Sequence, residues 1–135
     1  MKKKILLITN TASFFYTHRL NLYRSLNKKY DVDLIFGKNG HPKMETLALL
    51  NLKNENIKYK ILDFESSNIN IFREIKSLSI FYKYILKTKP DYLHCVSIKP
   101  IFLLGITSIL FPKIKIILAF SGLGYLFSDT NSFKS

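Results

Sequence analysis

Near its start the chain reads Lys4-Ile5-Leu6-Leu7-Ile8-Thr9-Asn10-Thr11-Ala12-Ser13. Four aliphatic residues in a row give way abruptly to small polar ones. Lys2-Lys3-Lys4 ahead of them gives the outline of a secretory leader. The apolar run is too short for that, since a leader core needs roughly 7–15 residues. The stretch reads instead as a buried first strand, Lys3–Thr9, followed by a polar loop.

Further along, strands alternate with helices. Thr17–Lys29 carries Leu20, Tyr23 and Leu26 at helical spacing, with Thr17 as its cap and Lys28 and Lys29 where cations suit the helix dipole. Asp31–Phe36 is a second strand, and 38–42 is turn material. Lys43–Lys53 reads as a helix resting on Met44, Leu47 and Leu50. Ile57–Leu62 is a third strand, and Ser66-Ser67-Asn68 a loop. Asn70–Lys87 is the longest helix, ended by Lys89-Pro90. Asp91–Val96 is a fourth strand, Pro100 opens a helix to about Leu110, and Lys113–Phe120 is a fifth strand. This alternation predicts an α/β fold, a doubly wound, Rossmann-like parallel sheet of strand order 3-2-1-4-5 covered on both faces.

Composition narrows the function. A chain of 135 residues, 47% hydrophobic and 22% charged, is one globular domain rather than a disordered tail. Its 21 Lys and Arg against 9 Asp and Glu leave a net charge of +12, which points to an anionic partner. Cys95 is the only cysteine, so an intrachain disulfide is excluded, as is a zinc site built on several cysteines. The longest apolar stretch, Ile101–Phe111, would span about 16 Å as a helix, against roughly 30 Å of bilayer hydrocarbon. It reads as a helix buried on the sheet.

In such a sheet, ligands bind beyond the carboxyl ends of the strands at the switch point, here between strands one and four. Topology gathers Asn10–Tyr16, Ser97–Pro100 and Ser121–Tyr125 there. Asn10, Thr11 and Ser13 are small and polar, so their backbone could approach a ligand; they also suit an ordinary strand-to-helix turn. No dinucleotide or P-loop glycine pattern is present. Arg19 has the fork that grips phosphate or carboxylate, and His18 could transfer a proton near neutral pH. Both equally suit a solvated first turn beside the core aromatics Phe14 and Phe15. His94 lies near the end of strand four, as a core histidine or a site residue. Lys99, ahead of Pro100, could hold a phosphate or simply face solvent. Gly122 and Gly124 allow close backbone approach, or form a plain turn. His41 has no assigned role.

The longest helix places Ile71, Ile75, Leu78, Tyr82, Ile85 and Leu86 on one face and Arg73, Lys76, Lys83 and Lys87 on another. Such a basic stripe suits anionic lipid, at about 1 kcal/mol per cation near the surface, or is a solvated face. It lacks the interleaved aromatics of a nucleic-acid surface, and nucleic acid is not an expected partner.

Three segments, K-I-L-L-I-T-N-T-A-S-F-F-Y-T-H-R-L at 4–20, H-C-V-S-I-K-P at 94–100 and S-G-L-G-Y-L-F at 121–127, together resemble a known family. They are similar to the N-terminal domain of GT-B glycosyltransferases of family 4. The closest branch adds sugars to undecaprenyl-diphosphate-linked glycans of O-antigen, capsule and protein-glycosylation pathways. The resemblance spans essentially the whole chain. It implies the acceptor-binding half of a hexosyltransferase, residues 1–135, that faces the inner surface of the cytoplasmic membrane. Its partners would be a lipid-linked glycan acceptor, an anionic membrane surface, and a donor-binding C-terminal domain or partner chain. A nucleotide-sugar would be co-substrate, bound mainly by that other domain, with retaining transfer and neither metal nor other cofactor. Asn10, Thr11 and Ser13 would approach the donor diphosphate or the transferring sugar. Tyr16, His18, Arg19, His94 and Lys99 would contact acceptor or phosphate. Ser121, Gly122 and Gly124 would line the cleft, and Arg73, Lys76, Lys83 and Lys87 would meet the membrane.

Two departures limit the transfer of roles. Asn10-Thr11 stands where many members have a glycine pair, and Phe120-Ser121 where many have a histidine, so no catalytic residue is carried over. The donor domain's E-x7-E motif is absent, and the chain alone is expected to be inactive. Another reading is a non-catalytic membrane-anchoring subunit that recruits a catalytic chain. Against a third reading, a nucleotide- or phosphate-binding regulatory α/β module, stands the absence of a nucleotide fingerprint and of the acidic cluster expected after strand one.

Overall fold

The computed structural model describes residues 1–38, 40–63, 70–96 and 105–119. The order is β1 (Lys4–Thr9), α1 (Ala12–His18), α2 (Leu20–Lys29), β2 (Asp31–Phe36), α3 (Pro42–Asn54), β3 (Lys60–Ile61), α4 (Ile71–Thr88), β4 (Tyr92–Val96) and β5 (Lys115–Ala119). Residues 105–110 are helical as well. All strands are parallel, in the order β3-β2-β1-β4-β5. This is the expected doubly wound sheet.

β1 lies at the centre, paired from Lys4 with Asp31 to Thr9 with Phe36 on one side, and from Ile5 with Tyr92 to Ile8 with Cys95 on the other. Helices cover both of its faces, so Ile5 to Thr9 are all buried, and the strand reads as a continuous apolar run rather than an alternation. Right-handed crossovers place α1, α2 and α3, which lead outward to β3, on one face, and α4, which returns to β4, on the other. The first face packs Ile5, Leu7, Leu34 and Phe36 against Ala12, Phe15, Leu20, Ala48 and Leu52. The second packs Leu6, Ile8, Ile35, Leu93 and Cys95 against Phe81 and Ile85 of α4.

The structure corrects the sequence reading in five places, one being the helix at residues 105–110, expected to be buried on the sheet, where Ile106, Ile109 and Leu110 are exposed. β3 is two residues long instead of Ile57–Leu62, because it pairs only at Ile35 with Lys60 and Phe36 with Ile61. The first helix begins at Ala12, within the expected loop, and its cap is Thr11 rather than Thr17. α3 buries Ala48 and Leu52, whereas Met44, Leu47 and Leu50 are exposed. α4 presents Ser77, Phe81 and Ile85 to the sheet, with Leu78 half-buried beside them, and leaves Ile71, Ile75, Tyr82 and Leu86 exposed. That helix is apolar around more of its circumference than one sheet face can cover, and the bulky Phe81 sets its rotation.

Candidate functional site

The site is built from the end of β1, the helices that follow it, and β4. Thr9 is fully buried, and its hydroxyl donates to the Thr11 carbonyl at 3.0 Å. Thr11 has extended backbone, and its Oγ1 accepts from the Phe14 amide at 3.1 Å, which caps α1. Ala12 and Phe15, three residues apart, turn into the core and fix the helix on the sheet.

A carboxylate completes this turn. Glu45, in the first turn of α3, accepts from the Ala12 amide at 3.0 Å, the Ser13 amide at 2.9 Å and the Ser13 hydroxyl at 2.5 Å. It satisfies amide groups that have no partner inside α1, and it places negative charge at the positive end of the helix. Gly40 makes room for it, since a Cβ there would overlap the Glu45 side chain. No sequence signal links Glu45 to Ser13, because the contact depends on how α3 lies across α1. The Ser13 amide that the sequence reading offered to a ligand, and the Ala12 amide beside it, are thus occupied by the chain's own carboxylate.

The helix then breaks at Arg19, whose φ of −123° and ψ of −6° separate α1 from α2. The Arg19 guanidinium lies over the Phe14 ring, 6.0 Å from its centroid. Its Nε is buried and has no hydrogen-bond partner among the described residues. His94, opposite Leu7 on β1 and Ile117 on β5, has a buried Nε2 in the same condition. Burial holds the His94 imidazole below its ordinary pKa of 6.5, and the positive charge of Arg19 lowers it further. Two residues far apart in sequence are therefore electrostatically coupled, each with an unused buried polar atom. Such atoms are uncommon in folded proteins; the Arg19 Nε–H suits a ligand acceptor, and the His94 Nε2 suits an acceptor or a donor according to its tautomer.

The other predicted residues lie around this pair. Tyr16 donates to Glu55 at 3.1 Å, and Glu55 also takes Arg24 at 2.6 Å. Arg24 chiefly holds the Glu55 carboxyl below its usual range, and the bond to Glu55 raises the Tyr16 hydroxyl. Tyr16 is thus engaged toward the end of α3. His18 is exposed and stacks on Phe14, with ring centroids 4.9 Å apart. Asn10, Thr11 and Ser13 are half-buried at the turn. Lys99, Ser121, Gly122 and Gly124 lie outside the described residues. On the opposite face of the sheet, Arg73, Lys76, Lys83 and Lys87 of α4 are all exposed, alongside Ile71, Phe72, Ile75 and Leu86.

The family model described as glycosyl transferase 4-like matches residues 4–135. The chain belongs to that family. No curated protein matches it. Among solved structures, this glycosyl transferase 4-like chain is similar in fold to Acinetobacter baumannii MurG, with a TM-score of 0.65 at 14% identity, covering 98% of this chain and 43% of that one. A glycosyltransferase from Rickettsia africae gives 0.64 at 15% identity, covering 98% and 34%. UDP-GlcNAc 2-epimerase from Neisseria meningitidis gives 0.60 at 17% identity, covering 97% and 36%. The chain thus spans less than half the length of each, and it has the Rossmann-like fold of the N-terminal half of GT-B proteins.

Proposed function

We propose that this glycosyl transferase 4-like chain is the acceptor-binding half of an enzyme that moves a sugar from a nucleotide-sugar to a lipid-linked glycan in surface-polysaccharide synthesis. The observation that carries this reading is the family match over nearly the whole chain. The buried, unpartnered nitrogens of Arg19 and His94 support it, because an acceptor diphosphate or a sugar hydroxyl supplies the oxygen that both lack. Asn10, Thr11, His18, Lys99, Ser121, Gly122 and Gly124 complete the proposed cleft, with Ser13 and Tyr16, held by Glu45 and Glu55, at its border. The donor site lies mainly on a second domain or partner chain, and residues 1–135 do not complete transfer alone. Transfer is retaining and independent of metal.

The acceptor reaches the site from a membrane. Among the described residues, no helix is long and apolar enough to cross one. α4 carries four exposed cations beside exposed apolar side chains, a pattern that suits the surface of an anionic bilayer. We place the protein peripherally on the inner face of the cytoplasmic membrane. Co-sedimentation with vesicles tests this. Binding to anionic vesicles at low salt, weakened at high salt and absent with zwitterionic vesicles, is expected. No binding at low salt would overturn the membrane reading.

A further inference from the structure

We infer that the cleft between the end of β3 and the first two turns of α4 is a binding site for a phosphate group. Among the described residues it is lined by Asp63, Arg73, Lys76 and Ser77, and it encloses about 250 Å³. A water molecule claims about 30 Å³, so a tetrahedral anion fits with part of its hydration shell.

The charges favour such an anion. Arg73 and Lys76 are three residues apart and share one helix face. Arginine supplies a planar fork that matches phosphate oxygens, and lysine a compact point charge. Among the described lining residues the one acid is already engaged, because Asp63 pairs with Lys38 at 3.6 Å. That pair is neutral as a whole, so Arg73 and Lys76 set the sign of the cleft. Lys76 takes part in none of the salt bridges among the described residues.

A neutral donor completes the set. Ser77 is only 6% exposed, and among the described residues its hydroxyl makes one bond, a long one of 3.4 Å to the Asp63 carbonyl. A ligand oxygen within normal range would capture that hydrogen. No aromatic side chain lines the cleft among the described residues, so nothing there would stack a nucleobase. The cleft also opens at the carboxyl end of the sheet, where Leu62 follows β3 and donates to the Phe36 carbonyl at 2.9 Å.

The phosphate belongs either to a lipid headgroup or to a soluble ion. As a headgroup site the cleft rests on the membrane reading above; as a site for soluble phosphate it stands without it. The test uses the 135-residue chain, inorganic pyrophosphate followed by calorimetry, and vesicles with about 30 mol% phosphatidic acid. The double variant Arg73→Gln/Lys76→Gln is compared with Lys83→Gln/Lys87→Gln, which removes the same charge from the same helix outside the cleft. All four positions are exposed, and thermal melts confirm that both variants fold.

For a headgroup site, the cleft double is expected to lose about tenfold in vesicle affinity and the control double about threefold or less. For a soluble-ion site, saturable pyrophosphate binding that the cleft double abolishes supports the proposal even if vesicles fail to bind, in which case the membrane reading falls alone. Equal losses in the two doubles with no pyrophosphate binding would overturn the site and leave general surface attraction. No binding of either probe would overturn both readings.

Discussion

Replacing Glu45 by alanine should loosen the turn that joins β1 to α1. The side chain is half-buried and accepts three hydrogen bonds, from the amides of Ala12 and Ser13 and the hydroxyl of Ser13. A hydrogen bond to a charged group contributes about 1.5–3 kcal/mol net. The three do not add, since they share one carboxylate and Thr11 still caps the helix. Loss of a helix cap typically costs about 0.5–2 kcal/mol. Together these give about 2–3 kcal/mol for Glu45→Ala, and about half that for Glu45→Gln, which keeps one acceptor. For a domain of this size the alanine variant should melt about 10 °C lower. Urea unfolding of wild type, both Glu45 variants, Ser13→Ala and Glu45→Ala/Ser13→Ala would measure the costs and their coupling. A coupling of about 1 kcal/mol between Glu45 and Ser13 is expected. A Glu45→Ala chain within about 0.5 kcal/mol of wild type would refute the claim that this carboxylate holds the turn.

Other outcomes follow from the packing and the titrating groups. Phe81 is 1% exposed under the sheet, so Phe81→Ala should cost about 3–5 kcal/mol in urea unfolding. Burial pushes the Cys95 thiol up, so it should resist a thiol reagent in native buffer and react fully in denaturant. His94 is held below 6.5 in the folded chain, so the unfolded chain takes up that proton first as the pH falls. The contribution of His94 to stability is therefore whole above about pH 6.5 and is lost below it, levelling off once the folded imidazole is protonated. Urea midpoints at pH 7.5 and 5.5 should differ less in His94→Gln than in wild type. An NMR titration that places His94 above 6.5 would contradict this sign.

Much of the architecture was legible because burial leaves a strong local record. β1 shows a continuous apolar run and β2 ends in one at Leu34-Ile35-Phe36, and the strand–helix alternation leaves few topologies. The bounds of β2 were visible to the residue, while those of β3 were not. At the sheet edge, pairing depends on how far the neighbouring strand extends, and only Ile35 and Phe36 offer partners. The start of α1 was hidden by its aromatic run, since Phe14, Phe15 and Tyr16 give no helical period, and only Ala12 and Phe15 turn inward. The break at Arg19 carries neither glycine nor proline to announce it. The rotation of α4 was unreadable because an apolar arc wider than the contact can settle in more than one way. In the site, Arg19 and His94 were found separately by residue type and position, and their coupling needed the tertiary structure. Glu45 could not be found at all, for it meets Ser13 only across the packing of α3 on α1.

In the proposed enzyme this chain binds the acceptor rather than the donor. The most direct test is equilibrium binding of the 135-residue chain to a polyprenyl-diphosphate-linked glycan in zwitterionic nanodiscs, alongside a panel of nucleotide-sugars. We predict saturable binding of the lipid-linked glycan, weakened about tenfold or more in Arg19→Ala and in His94→Ala, with no saturable binding of any nucleotide-sugar. Saturable nucleotide-sugar binding with no affinity for the lipid-linked glycan would contradict it.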